Sequence, residues 1–137
     1  TRKVTRTAID ASPQEFPRVD ERRFGQSYRH AWIVSQPGGT ISNFAAENAL
    51  YHHDLETGGK RSYSFGPDLV GGEFVFVPRA PDAEEADGWL MGLVIDTKND
   101  TTQLQVLKAL DIEQGPIGAV HIPHRIPPGF HGNWIPD

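Results

Sequence analysis

Six histidines and no cysteine define the chemistry open to this 137-residue chain. Without thiols, disulfides, thiolate nucleophiles, zinc ribbons and iron–sulfur clusters are excluded. A bound metal would have to take imidazole, carboxylate or backbone oxygen ligands. The histidines are His30, His52, His53, His121, His124 and His131. His52 and His53 are neighbours in an expected strand and so point to opposite faces; His121 and His124, three apart, do the same. No pair has the i, i+4 helical spacing of zinc proteases. Spacing therefore gathers no three of these rings around one ion, and these five histidines read as structural or solvated. His131 differs. It lies in "PPGFHGNW" (127–134), between glycines that admit close backbone approach and between Phe130 and Trp134, which could shield the ring from water. A neutral imidazole in a dry, stiff turn suits a metal ligand. A packed histidine bonded to backbone carbonyls fits the same residues.

Two carboxylates are attached to apolar segments. Glu73 opens "EFVFV" directly after Gly71-Gly72, and Glu15 lies in "PQEFPRVDE". A buried carboxylate needs a partner, because removing its charge from water costs several kcal/mol. An imidazole N–H would serve, and a carboxylate behind a metal-bound histidine fixes its tautomer and orientation. Solvated carboxylates at strand ends fit the pattern equally. The acidic run "PDAEEAD" (81–87) lacks the alternating oxygen ligands and central glycine of a calcium loop and reads as a solvated loop. No nucleophile elbow, P-loop or dinucleotide fingerprint is present.

The elements that must position these groups read as β throughout. Residues 28–34, "YRHAWIV", form an expected strand. Residues 46–65 form an expected hairpin about Glu56-Thr57-Gly58-Gly59, where glycine supplies positive φ. Residues 71–79 give a strand ending at proline, 88–110 a second hairpin with a polar tip at 97–102, and 118–126 a last strand that Pro123 marks as an edge or bulge. The only helix candidate is a turn or two at 81–88. Residues 1–27 have few apolar anchors and read as an extended connecting segment lying over something else. Short strands joined by Gly, Pro and Asp turns suggest a sandwich, a barrel or a propeller. "EFVFV", apolar on both faces, expects sheet above and below it.

Composition narrows the function classes. The chain is 37% hydrophobic and 23% charged, with a net charge of -5 and no basic run, so nucleic acid is not an expected partner. No stretch approaches the roughly 20 apolar residues of a membrane span, and "TRKVTRTAID" has no signal core. A cytoplasmic location accords with the lack of cysteine. The chain does not begin with methionine, its only Met being Met91, and a piece of a longer polypeptide is expected.

Three segments taken together are informative: "EFPRVDERRFGQSYRHAW" (15–32), "GGEFVFVPRAPDAEEADGWLMGLVID" (71–96) and "VHIPHRIPPGFHGNW" (120–134), with "HDLETG" (53–58) between them in order. Over nearly its whole length the chain resembles the carboxy-terminal part of the carotenoid cleavage oxygenases, which include apocarotenoid- and stilbene-cleaving dioxygenases and a retinoid isomerase. The resemblance implies an all-β, antiparallel fold of about seven strands, making about two blades of a seven-bladed β-propeller. It implies one non-haem Fe(II) (Fe2+) on the propeller axis, bound by four histidines and steadied by glutamates behind them. The motif match assigns His131, in "GFHG", to the last iron ligand, and Glu15 and Glu73 to two of the glutamates that orient iron-bound imidazoles. None of the other five histidines matches a ligand position.

Residues 1–137 would then be the C-terminal part of an iron dioxygenase that splits a conjugated C=C bond of a carotenoid, apocarotenoid or stilbene, with O2, into two carbonyl products. Its partners would be the apolar alkene, O2 and the missing N-terminal blades, with membrane contact only through the missing part. With one ligand of four, the isolated chain is expected to be inactive and to hold no iron tightly. A metal-free β-sheet binding or interaction module on the same scaffold is the alternative.

Overall fold

The structure, a computed structural model, describes residues 3–35 and 48–135. Among these residues eight strands form two four-stranded antiparallel sheets. The first sheet contains β1 (Gln14–Val19), β2 (His30–Ser35), β3 (Ala49–Asp54) and β4 (Gly59–Ser64), in that order across the sheet. The second contains β5 (Leu69–Pro78), β6 (Gly88–Asp96), β7 (Thr101–Lys108) and β8 (Pro116–Ile122), also in chain order. Each sheet is a meander in which every strand pairs with its sequence neighbour, the pattern of a propeller blade.

The expected hairpins form where turn chemistry indicates. Gly58 has φ 73° at the β3–β4 turn, the left-handed conformation glycine adopts without strain. Asp96 closes the β6–β7 tip by accepting from the Lys98 and Asn99 amides at 3.0 and 2.9 Å. Residues 46–47 of the first hairpin lie outside the described residues. β8 pairs along one side only and ends at Ile122, just before Pro123, as an edge strand should.

Two local expectations change. Residues 14–19 of the segment expected as a connection form β1, and Glu21–Arg23 form a short 3-10 turn capped by the Asp20 side chain. Proline is tolerated in β1 because only one of its sides meets another strand. Residues 81–87 are irregular rather than helical, and Gly88 already opens β6. Arg22 Nη1 donates to the carbonyls of Ala80, Pro81 and Ala83, which a helix would have used internally.

The core lies between the sheets. Trp32, Val34 and Leu50 from the first pack with Phe74, Phe76, Leu90, Val94 and Leu107 from the second. Trp32 stacks on Phe76 with centroids 5.2 Å apart and rings 4° from parallel, and its Nε1–H donates to the Ala109 carbonyl at 2.9 Å. Asn48 crosses between the sheets, its Oδ1 accepting from the Gly71 amide at 2.7 Å. The alternation of β5 follows from this packing: Phe74 and Phe76 face the core, while Val75 and Val77 are half-buried on the other side.

The first strand of each sheet breaks register where its carboxylate sits. The β1–β2 ladder shifts between Glu15 and Arg18, and the β5–β6 ladder between Gly71 and Phe74. In β1 the irregularity includes Phe16 at φ 57°, a left-handed residue of the kind that opens a bulge. A bulge disturbs the pleat and re-aims side chains, so these strands can send polar groups away from the apolar sheet face.

Candidate functional site

The Glu73 carboxylate is the hub of the polar site. Its side chain is only 7% exposed, at the bulge of β5. From β1, Arg18 approaches with its planar fork, Nε donating to Oε1 at 2.8 Å and Nη2 to Oε2 at 2.9 Å. From the segment after β8, the Gly132 amide donates to Oε2 at 2.7 Å, and His131 Nδ1 lies 3.2 Å from Oε1. Arg18 also donates to the Gly132 carbonyl and pairs with Glu21. Burial pushes the Glu73 carboxyl up, but the Arg18 guanidinium, the Gly132 amide and His131 outweigh it and hold the carboxyl below its ordinary value.

An ionised carboxylate only accepts hydrogen bonds, so Nδ1 of a neutral His131 ring carries the proton and Nε2 carries the lone pair. No described protein group engages Nε2, and the side chain is 75% exposed. The ring is therefore oriented from behind and open in front, as an imidazole ligand must be. The shielding expected from Phe130 and Trp134 does not form: both are exposed. Phe16 meets the ring instead, edge to face at 5.8 Å and 87°. The bulge that gives Phe16 its left-handed backbone thus puts an aromatic beside His131.

Glu15 is on β1 with Phe16 but exposed, with none of the hydrogen bonds that Glu73 makes. The other histidines divide as strand parity requires. His52 and His53 are both buried, on opposite faces: His52 Nε2 is 3.0 Å from His30 Nδ1 and its ring stacks on Trp32, whereas His53 Nε2 bonds Gln14 Oε1 at 2.8 Å. His121 and His124 are exposed. Among the described residues no group of three or more His, Asp or Glu side chains could hold a metal ion. What the chain does present is one oriented imidazole with its supporting carboxylate. Arg18 escaped the reading of the sequence although it lies in the same "EFPR" stretch as Glu15. The signal available was the rule that a buried carboxylate needs a partner, and a guanidinium satisfies it as well as an imidazole.

An apolar cleft of about 290 Å3 lies beside the site, lined by Phe16, Val70, Leu93, Ile95, Ile126 and Pro127 among others.

Comparison with known proteins agrees with this architecture. The family model described as retinal pigment epithelial membrane protein matches residues 1–136. A carotenoid cleavage oxygenase of Mycobacterium tuberculosis is 42% identical over 135 residues, covering 97% of this chain and 26% of that protein. The crystal structure of a Pseudomonas brassicacearum lignostilbene dioxygenase superposes with a TM-score of 0.84 at 33% identity, over 94% of this chain and 28% of that one. The cobalt-substituted apocarotenoid oxygenase of Synechocystis gives 0.81 at 31% identity, over 93% and 26%. The chain spans about a quarter of the length of these relatives. Its two meander sheets are two blades of a propeller of their type, and the chain belongs to the retinal pigment epithelial membrane protein family, that of the carotenoid cleavage oxygenases.

Proposed function

We propose that this chain is the His131-bearing portion of a non-haem Fe(II) dioxygenase that cleaves a conjugated C=C bond of a carotenoid, apocarotenoid or stilbene into two carbonyl products. The observation that carries this reading is the His131–Glu73 pair: a ring held at Nδ1 by a buried, ionised carboxylate and open at Nε2. The relatives' names supply the substrate classes, and the cobalt-substituted relative supports a metal in the family.

The residues present fit one share of such a metal site. His131 would donate through Nε2, and Glu73 would keep the proton on Nδ1 and raise the basicity of the ring. Arg18 and the Gly132 amide fix Glu73, so the carboxylate does not turn toward the metal as a competing ligand. Glu15, exposed on β1, is free to support an imidazole from outside this chain. Phe16 walls one side of the His131 ring, and the apolar cleft beside it suits a hydrocarbon and excludes water. Bound Fe(II) would supply the dioxygen chemistry by which the alkene and O2 become two carbonyls. With one ligand of the implied four, the isolated chain is inactive under this reading and retains no iron through a chelator wash.

The test is His131→Ala in the whole encoded polypeptide, with iron content and alkene cleavage measured together. Loss of both is expected. Wild-type iron and activity would sink the ligand assignment and favour a metal-free binding module.

A further inference from the structure

We propose that Arg18 is a positioning residue whose ion pair with Glu73 clasps the segment bearing His131, holding the backbone N–H and C=O of Gly132 at once. The inference rests on the reading of His131 as a metal ligand for its metal-binding consequence, and on geometry alone for the clasp.

The geometry is specific. Glu73 Oε2 takes the Gly132 amide at 2.7 Å, while the Arg18 guanidinium donates to the Gly132 carbonyl. The two halves of the ion pair thus grip one residue from opposite sides. That residue immediately follows His131, whose own Nδ1 sits on the remaining oxygen of the same carboxylate. A second link ties Asn133 Nδ2 to Glu21, itself paired with Arg18. The segment has few other means of holding its place: among the described residues after β8 there is no further strand, and Phe130, His131 and Trp134 are exposed.

Arg18 also has a job that a lysine could not do in full. Glu73 must serve three donors with two oxygens, and only a planar fork can occupy one lone pair on each oxygen and still reach a carbonyl. The fork leaves Oε1 open to His131 and Oε2 open to Gly132. A point charge would sit on one oxygen and let the carboxylate rotate. The β1 bulge matters here because it delivers Arg18 from the first sheet to a carboxylate of the second, 55 residues away. The orientation of the imidazole is therefore set jointly by both sheets.

The experiment uses the whole encoded polypeptide and compares Arg18→Lys and Arg18→Gln with wild type. Backbone amide exchange is measured without metal on peptides covering 127–135, with peptides of β6 and β7 as an internal check that the fold is intact. Metal retention is measured with Co(II) as the probe, by competition with a chelator and by the visible ligand-field spectrum. Arg18→Gln should speed exchange in 127–135 by roughly 10- to 100-fold while β6 and β7 stay protected. It should weaken Co(II) retention by about 10- to 100-fold and alter the spectrum. Arg18→Lys should fall between Gln and wild type in both. Unchanged exchange in Arg18→Gln overturns the clasp, and Arg18→Lys equal to wild type in both readouts overturns the requirement for a fork. His131→Ala serves as the control that separates the two claims. If it keeps Co(II), the ligand reading fails, and the exchange result alone then judges the clasp.

Discussion

Lowering the pH from 7 to 5 should destabilise the fold through a histidine remote from the His131 site. His52 is buried at 4% exposure, packed between Trp32 and His30. Burial pushes its pKa down from the ordinary 6.5 to about 4, helped by His30 and Arg61 and opposed by Asp54. His30, to which it is hydrogen-bonded, is also shifted down, chiefly by burial and against the pull of Glu85. The sign follows from linkage. Between pH 4 and 6.5 the unfolded chain binds a proton at His52 and the folded chain does not, so stability rises with pH in this window and is lost as pH falls. The full difference is worth about 3 kcal/mol. At pH 5 the lost part is 6.5 minus 5, or about 2 kcal/mol. His52→Phe keeps a ring against Trp32 and removes the proton site. Urea unfolding followed by tryptophan fluorescence at pH 7 and pH 5 should therefore show a smaller pH penalty in the variant by about 2 kcal/mol. An identical penalty in wild type and variant would refute the assignment of the shift to this buried ring.

Three further outcomes are expected. Gly92→Ala should destabilise by about 1–3 kcal/mol in urea unfolding, because the new methyl carbon would lie 2.6 Å from the fully packed Phe74 ring. Trp32→Phe should cost at least about 1–3 kcal/mol by the same measurement, since the Ala109 carbonyl loses its 2.9 Å donor in the core. Glu73→Gln in the whole polypeptide keeps the shape but weakens the bonds to Arg18, Gly132 and His131. Metal content titrated against a chelator should show affinity down by about 10- to 100-fold.

The regular part of the fold was legible because local patterns agree with tertiary context. β3 and β4 flank a turn whose Gly58 has positive φ, and β6 and β7 flank a tip that Asp96 closes through its own side chain. β1 was not legible. Two prolines and a left-handed Phe16 hide a strand whose partner is known only once β2 is in place. The site divides the same way. Glu73 was singled out as a carboxylate against an apolar strand and His131 as a ring among glycines and aromatics, and only the family resemblance chose a metal-site reading of each over a structural one. The partner that fixes Glu73 most closely is Arg18, 55 residues away, and no local rule reaches that far. The shielding of His131 by its sequence neighbours did not follow either, since Phe16 from β1 takes that place.

The paired bulges have a consequence for how this chain can vary in length. Along a regular strand, a change of one residue type leaves the direction of every other side chain intact. Removing one residue from 15–18 or from 71–74 does not, because it would erase the extra residue that each ladder now accommodates. The pairing would become continuous with the flanking partners unchanged, and the side chain that the bulge re-aims would lose its direction. In β5 that would swing Glu73 away from Arg18 while Phe74 and Phe76 stay opposite Gly92 and Leu90. In β1 it would turn Arg18 from the carboxylate it grips. β1 and β5 should thus accept many substitutions and almost no insertions or deletions at their bulges, whereas the β6–β7 tip at 98–100, exposed and closed mainly by the Asp96 side chain, can lengthen freely.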